Sequence, residues 1–148
     1  MATVTRRMDV APDDVYEALA DPNTYPEWLV GAREIRAVDS GWPTPGTQFH
    51  HRVGLVGPLT IADSTRSLEV EPGRRLVLEA KARPAGRARV EFEIEPDGDG
   101  TNLVMTETPL GVLKSAQPLI DPLTIVRNTK SLRDLEGYVR AQVGTDPR

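Results

Sequence analysis

The sequence contains no cysteine. That absence excludes disulfide frameworks, thiolate zinc sites, iron–sulfur ligation and cysteine nucleophiles, and it suits a reducing cytoplasm. Histidine is nearly as scarce, with only the neighbours His50 and His51. No apolar run approaches the roughly 18 residues that a membrane span needs. Arg6-Arg7 stands near the start, but Asp9, Asp13 and Asp14 follow where an export signal requires an apolar stretch. Nor is there an excess of positive charge. The 22 acidic and 18 basic residues give a net charge of −4, which argues against a surface built to neutralise nucleic-acid phosphates. There is no Gly-rich phosphate cradle and no G-x-S-x-G. Aromatic residues are few: two Trp, three Tyr and two Phe. What remains is a soluble, cytoplasmic chain of 148 residues, long enough to bury a sizeable core as one domain over residues 1–148. No cofactor, metal, nucleic-acid partner or membrane span is expected, and the state is monomer or homodimer.

The segment from Thr3 to Val10 alternates as a strand, with Val4, Arg6, Met8 and Val10 on one face. Ala11-Pro12-Asp13-Asp14 opens a helix, since proline is tolerated in a first turn and carboxylates favour the positive end of the dipole. Asp21-Pro22 ends it, and a short second helix or turn covers Asn23 to Val30 around Trp28. Strands then follow over 32–38, 47–53, 59–70, 75–82, 87–95 and 101–108, divided by Gly/Pro turns at 40–46, 54–58, 71–73, 84–86 and 97–100. Val90, Phe92 and Ile94 alternate with Glu91, Glu93 and Glu95, the pattern of an antiparallel strand with one wet face. The last segment changes period. Ile125, Leu132, Leu135 and Val139 mark one face of a helix, with Pro118 and Pro122 bounding or kinking its beginning. Short helices, about six further strands and one long amphipathic helix make an α+β fold.

Several landmarks resemble the SRPBCC superfamily, which includes START-type lipid-transfer domains, polyketide cyclases and birch-pollen-allergen-like proteins. They are A-P-D-D-V-Y-E-A-L-A-D-P-N-T-Y-P-E-W (Ala11 to Trp28), P-G-T-Q-F (Pro45 to Phe49), L-E-V-E-P-G-R-R-L (Leu68 to Leu76), D-G-T-N-L (Asp99 to Leu103) and S-L-R-D-L-E-G-Y (Ser131 to Tyr138). The resemblance implies a helix-grip fold, a curved seven-stranded antiparallel sheet around the long C-terminal helix, with a cavity for an apolar small molecule between them. The residues make the same demand. One helix cannot fill the concave face of seven strands, and Trp28, Phe49, Phe92 and Met105 occupy only part of it.

Adjacent strand residues point to opposite faces, so His50 and His51 cannot jointly hold a metal in their usual pairing. Phe49, His51 and Val53 share parity, which turns His51 inward and His50 to solvent. His51 is either a hydrogen-bonded structural histidine or a proton donor and acceptor. Glu107 shares parity with Leu103 and Met105, and Arg6 with Val4 and Met8. In the resembled fold the first and last strands pair, so Arg6 and Glu107 are expected to meet inside, as a salt bridge or as polar handles for a ligand. Asn128, on the apolar stripe of the last helix, bonds either a sheet side chain or a ligand. Arg66 is a weak candidate, because a bulge within Asp63 to Ser67 leaves its direction open. The basic residues from Arg74 to Arg89 are balanced by glutamates and lack interleaved aromatics, so they form a solvated hairpin face.

The first reading is a module that binds a small apolar or amphipathic molecule, lined by Arg6, Phe49, His51, Phe92, Met105, Glu107 and Asn128, with Trp28 closing one end. The second is a cofactor-independent polyketide aromatase/cyclase or dehydratase using His51 as general acid/base while Arg6, Glu107 or Asn128 holds substrate oxygens. The third is a protein-interaction role for the greasy segment 111–123, which also fits a lid or permanent packing.

Overall fold

The computed structural model describes residues 1–54, 60–82 and 86–145. Its strands are β1 (Ala2–Met8), β2 (Ala32–Val38), β3 (Gln48–Gly54), β4 (Thr60–Glu71), β5 (Arg75–Ala82), β6 (Gly86–Asp97) and β7 (Gly100–Leu110). Its helices are α1 (Pro12–Ala20), α2 (Tyr25–Trp28) and α3 (Gln117–Thr145), with 3₁₀ turns at Pro22–Thr24 and Gly111–Ala116. The strands form one antiparallel sheet in the order β1-β7-β6-β5-β4-β3-β2. β2 to β7 run as a meander, and β1 crosses over to pair with β7. The sheet is curved and unclosed, and α3 lies along its concave face: a helix grip.

Alternation in β6 and β7 sets which side is dry. Phe92 lies opposite Leu76 and Met105, Ile94 lies opposite Leu103, and all five side chains are buried. The intervening Glu91 and Glu93 face outward, where Arg75 and Arg89 pair with them. Leu132, Leu135 and Val139 of α3 close this core together with Val15, Leu19 and Trp28. Each fully buried side chain of this size contributes about 1.5–3 kcal/mol by leaving water. Asp21 ends α1 and accepts from the Asn23 amide at 3.0 Å, starting the next turn.

Three boundaries and one helix face differ from expectation in ways that bear on the site. β1 stops at Met8 instead of Val10, because the Asp9 amide leaves the ladder and donates to Glu136 Oε2 on α3 at 3.0 Å. β7 runs on to Leu110, in unbroken register with β6. The connection after it is helical: α3 begins at Gln117, so Pro118 lies in its first turn and Pro122 inside the helix. A proline in a first turn loses no intrahelical bond, and Pro122 removes one in the second turn. Finally, the buried stripe of α3 begins with Thr124 and Asn128, while Ile125 is 41% exposed. The helix is rotated to give its polar residues to the sheet at this end.

β2, at one edge, is largely exposed and pairs with β3 through two register irregularities, at Ala32/Glu34 and Ile35/Ala37. The shift in β4 falls between Ser67 and Glu69, just past the stretch where a bulge was expected. The turns expected at 54–58 and 84–86 lie largely outside the described residues. Among the described residues no helix is long and apolar enough to cross a membrane.

Candidate functional site

Side-chain volume falls along the concave face from one end to the other. Cross-strand rows give Leu76, Phe92 and Met105, then Leu78, Val90 and Glu107, then Ala80, Ala88 and Pro109. The aromatics do not compensate. Tyr25, Trp28, Trp42, Phe49 and Phe92 gather in edge-on contacts with ring centroids 4.9–6.4 Å apart. These are five of the seven aromatic residues, and the other two, Tyr16 and Tyr138, do not border the space over the alanine row. The result is a cavity of about 380 Å³ between the sheet and the N-terminal half of α3, within the range of small-molecule sites.

Ala80, Ala88 and Val90 form its floor, Phe49, His51 and Thr65 one wall, and Ile120, Thr124, Arg127 and Asn128 its roof. Trp28 and Tyr25 stand at the crowded end. Met105, Phe92 and Glu107 also border it. Of the residues singled out from the sequence, Trp28, Phe49, His51, Phe92, Met105, Glu107 and Asn128 therefore converge on one space.

His51 is buried, and its Nε2 lies 3.0 Å from Thr65 Oγ1. Burial pushes its pKa below the ordinary histidine value, against the opposing pull of the Asp63 carboxylate and a backbone hydrogen bond with Ser64. The imidazole is thus neutral at neutral pH and keeps both donor and acceptor capacity. His50 turns to the other face, half-exposed beside Asp39 at 4.0 Å.

Across the cavity, Arg127 Nη2 donates to both Glu107 oxygens at 2.7 and 2.6 Å, and Asn128 Nδ2 donates to Oε1 at 3.2 Å. Asn128, fully buried, has therefore found a sheet partner. Glu107 turns inward because β7 stays regular past it, placing it beside Val90.

Arg6 must be corrected. Its parity is as expected, but the register sets it against Leu103 and sets Ala2 against Glu107. Four residues of strand separate the two, about 13 Å. Arg6 instead holds Glu136 of α3, with Nε at 2.9 Å and Nη2 at 2.8 Å, and it does not border the cavity. Arg66 faces outward, 51% exposed, with Glu79 at 3.4 Å. Arg127 and Thr65 were missed. A carboxylate turned inward and left only partly exposed calls for a cation, and that need, set beside Asn128, is the signal that finds Arg127. Thr65 carried no comparable signal, since it becomes inward only once the β3–β4 register places it opposite Phe49. Among the described residues no three His, Cys, Asp or Glu are placed to hold a metal ion.

Comparison with curated proteins yields no match. Solved structures share the fold at low identity. A protein from Nitrosomonas europaea, NE0264, is 18% identical with a TM-score of 0.79, covering 96% of this chain and 95% of its own. The Zhui aromatase/cyclase from Streptomyces sp. R1128 is 16% identical with a TM-score of 0.72, covering 96% and 94%. CalU16 from Micromonospora echinospora is 24% identical with a TM-score of 0.65, covering 93% and 73%. A family model described as polyketide cyclase / dehydrase and lipid transport matches residues 1–136. With nearly the whole length matched and the helix-grip architecture in place, the chain belongs to the polyketide cyclase / dehydrase and lipid transport family.

Proposed function

We propose that the protein binds a small apolar or amphipathic molecule, lipid- or polyketide-like, between the sheet and α3. The observation that carries this reading is the cavity of about 380 Å³ over the Ala80–Ala88 row. Apolar burial supplies the affinity. The His51–Thr65 pair on one wall and the Glu107–Asn128 pair on the other orient the ligand. Native mass spectrometry of the recombinant protein is expected to show a copurifying apolar molecule, and an apolar fluorophore is expected to bind at one saturable site. A protein that carries no adduct and binds no such fluorophore refutes the reading.

A second reading, a cofactor-independent cyclase or dehydratase, is favoured by one observation. His51 borders the cavity with its pKa lowered by burial, as a base that accepts a proton from a bound substrate requires. Arg127 and Asn128 then take the role of holding substrate oxygens, and Arg6 drops out. His51→Gln separates the two readings: it abolishes turnover of an identified substrate if His51 moves protons, and leaves simple binding within a few-fold if it does not.

A further inference from the structure

The polar atoms around the cavity fall into two groups, those already spent on each other and those left over. The charged ones are spent. Arg127 gives Nη2 to both Glu107 oxygens at 2.7 and 2.6 Å and Nε to Asn128 Oδ1 at 3.4 Å. Asn128 Nδ2 donates to Glu107 Oε1 at 3.2 Å. A ligand carboxylate that took Arg127 would leave Glu107, 15% exposed, without its cation. Lys81 and Arg87 border the opening, but they alternate with the inward Ala80 and Ala88, and Glu79 holds Arg87 at 2.7 Å. Two hydroxyls are left over. Thr124, on the roof, is 6% exposed, and its Oγ1 has no hydrogen-bond partner among the described residues. Thr65, on the wall, is buried at the head of the alanine row, opposite Ala80, and bonds His51 Nε2 at 3.0 Å.

We infer that the cavity selects an uncharged apolar molecule bearing a hydroxyl group, an alcohol or a phenol, and that Thr65 and Thr124 recognise that group. The inference rests on the cavity being a ligand site. A threonine hydroxyl has one donor and two acceptor positions. If Thr65 donates to His51 Nε2, both acceptor positions remain; if it accepts from Nε2, one remains. In either histidine tautomer, Thr65 Oγ1 can therefore receive a ligand donor. Thr124 keeps acceptor capacity even where its proton turns to the carbonyl one helical turn back. Glu107 Oε2 receives one donor, from Arg127, and has room for another. The cavity thus holds acceptors in surplus, and a skeleton with only ether oxygens offers no donor to any of them. A hydroxyl donates to one threonine and still accepts from the other. An ammonium group also donates, but Arg127 already neutralises Glu107, so the added charge would be buried without an opposite one.

The test is displacement of Nile red, a neutral apolar fluorophore, by 2-naphthol, 2-methoxynaphthalene and 2-naphthoate at neutral pH. The three share one ring system and offer a donor, an acceptor only, and a negative charge. 2-Naphthol is expected to bind about three- to tenfold more tightly than 2-methoxynaphthalene, the yield of a buried hydrogen bond. It is expected to exceed 2-naphthoate by at least about tenfold. In the double variant Thr65→Val, Thr124→Val the preference for 2-naphthol over the methyl ether is expected to vanish, while Thr65→Ser, which keeps the hydroxyl, retains it. Thr124→Val alone breaks no internal hydrogen bond and is expected to reduce the preference at least about twofold. Unchanged melting serves as the control for folding. 2-Naphthoate binding as tightly as 2-naphthol overturns the inference, as does undiminished preference in the double variant. Nile red displaced by none of the three overturns it too. In each of these results bound Nile red leaves the cavity standing as a ligand site. Failure of Nile red to bind refutes that reading instead, and the inference falls with it.

Discussion

Replacing Ala88 by leucine turns the empty space into a question of sign. Ala88 lies between Ala80 and Pro109 on the concave face, yet it remains half-buried, as a residue facing a cavity should. Leucine adds three carbons. At about 0.8 kcal/mol per buried CH₂ the gain is about 2.4 kcal/mol for full burial and about 2 kcal/mol when the cavity buries the added carbons only in part. Fixing the leucine rotamer returns about 0.5–1 kcal/mol, so a net stabilisation near 1 kcal/mol is expected. A close-packed site gives the opposite sign, a loss of about 1–3 kcal/mol from overpacking. Urea denaturation reads the difference, and Ala37→Leu on exposed β2 removes the general effect of leucine in a strand. The double variant Ala80→Leu, Ala88→Leu is expected to weaken binding of an apolar fluorophore by at least about tenfold, since both side chains fill the floor. A clear destabilisation by Ala88→Leu together with unchanged fluorophore affinity would refute the reasoning.

His51 gives stability a pH dependence of known sign. Its folded pKa is lowered, so the unfolded chain takes up the proton first as pH falls below about 6.5. Stability is fully present above that value and declines as pH falls toward the lower folded pKa. In His51→Gln that part of the decline should vanish from urea midpoints between about pH 7 and about pH 5, and a slope equal to wild type would contradict the burial argument. Arg6→Met leaves Glu136, 9% exposed, with the Asp9 amide and the more distant Arg140 at 3.8 Å. Because Arg6 is itself 34% exposed and partly screened, the expected loss is about 1–3 kcal/mol, with fluorophore affinity unchanged. An affinity shift of several-fold would put Arg6 back at the cavity.

The fold was legible where periodicity met punctuation. Val90, Phe92 and Ile94 marked the dry face of β6, and Asp97-Gly98-Asp99-Gly100 marked the hairpin to β7, where Gly98 takes φ +59°. The family landmarks supplied the pairing of β1 with β7, which no local pattern contains. Parity also turned His51, Glu107 and Arg6 toward the concave face. Parity assigns faces and not positions along a strand, which is why Arg6 was expected at Glu107 and lies against Glu136 instead. Proline obscured the start of α3, because its effect depends on which turn of the helix it occupies. The rotation of α3 was hidden for a related reason: Ile125 has the more apolar side chain, but Thr124 and Asn128 face the sheet, where Asn128 donates to Glu107. The alanine row that opens the cavity became visible only when registers placed Ala80 beside Ala88.

An unclosed sheet has two rims of unpaired backbone, and each is a template on which another chain can zip. Here both rims are spoiled. The kinks of β2 break the even spacing of its amides, and Arg33, Glu34 and Arg36 place charge along it. β1 offers only seven residues, with Arg6 and Arg7 at its far end. An extended peptide approaching either rim meets a broken ladder or buried-charge penalties within a few residues. The open architecture that leaves room between sheet and helix thus carries a hindrance to strand addition on each of its own edges.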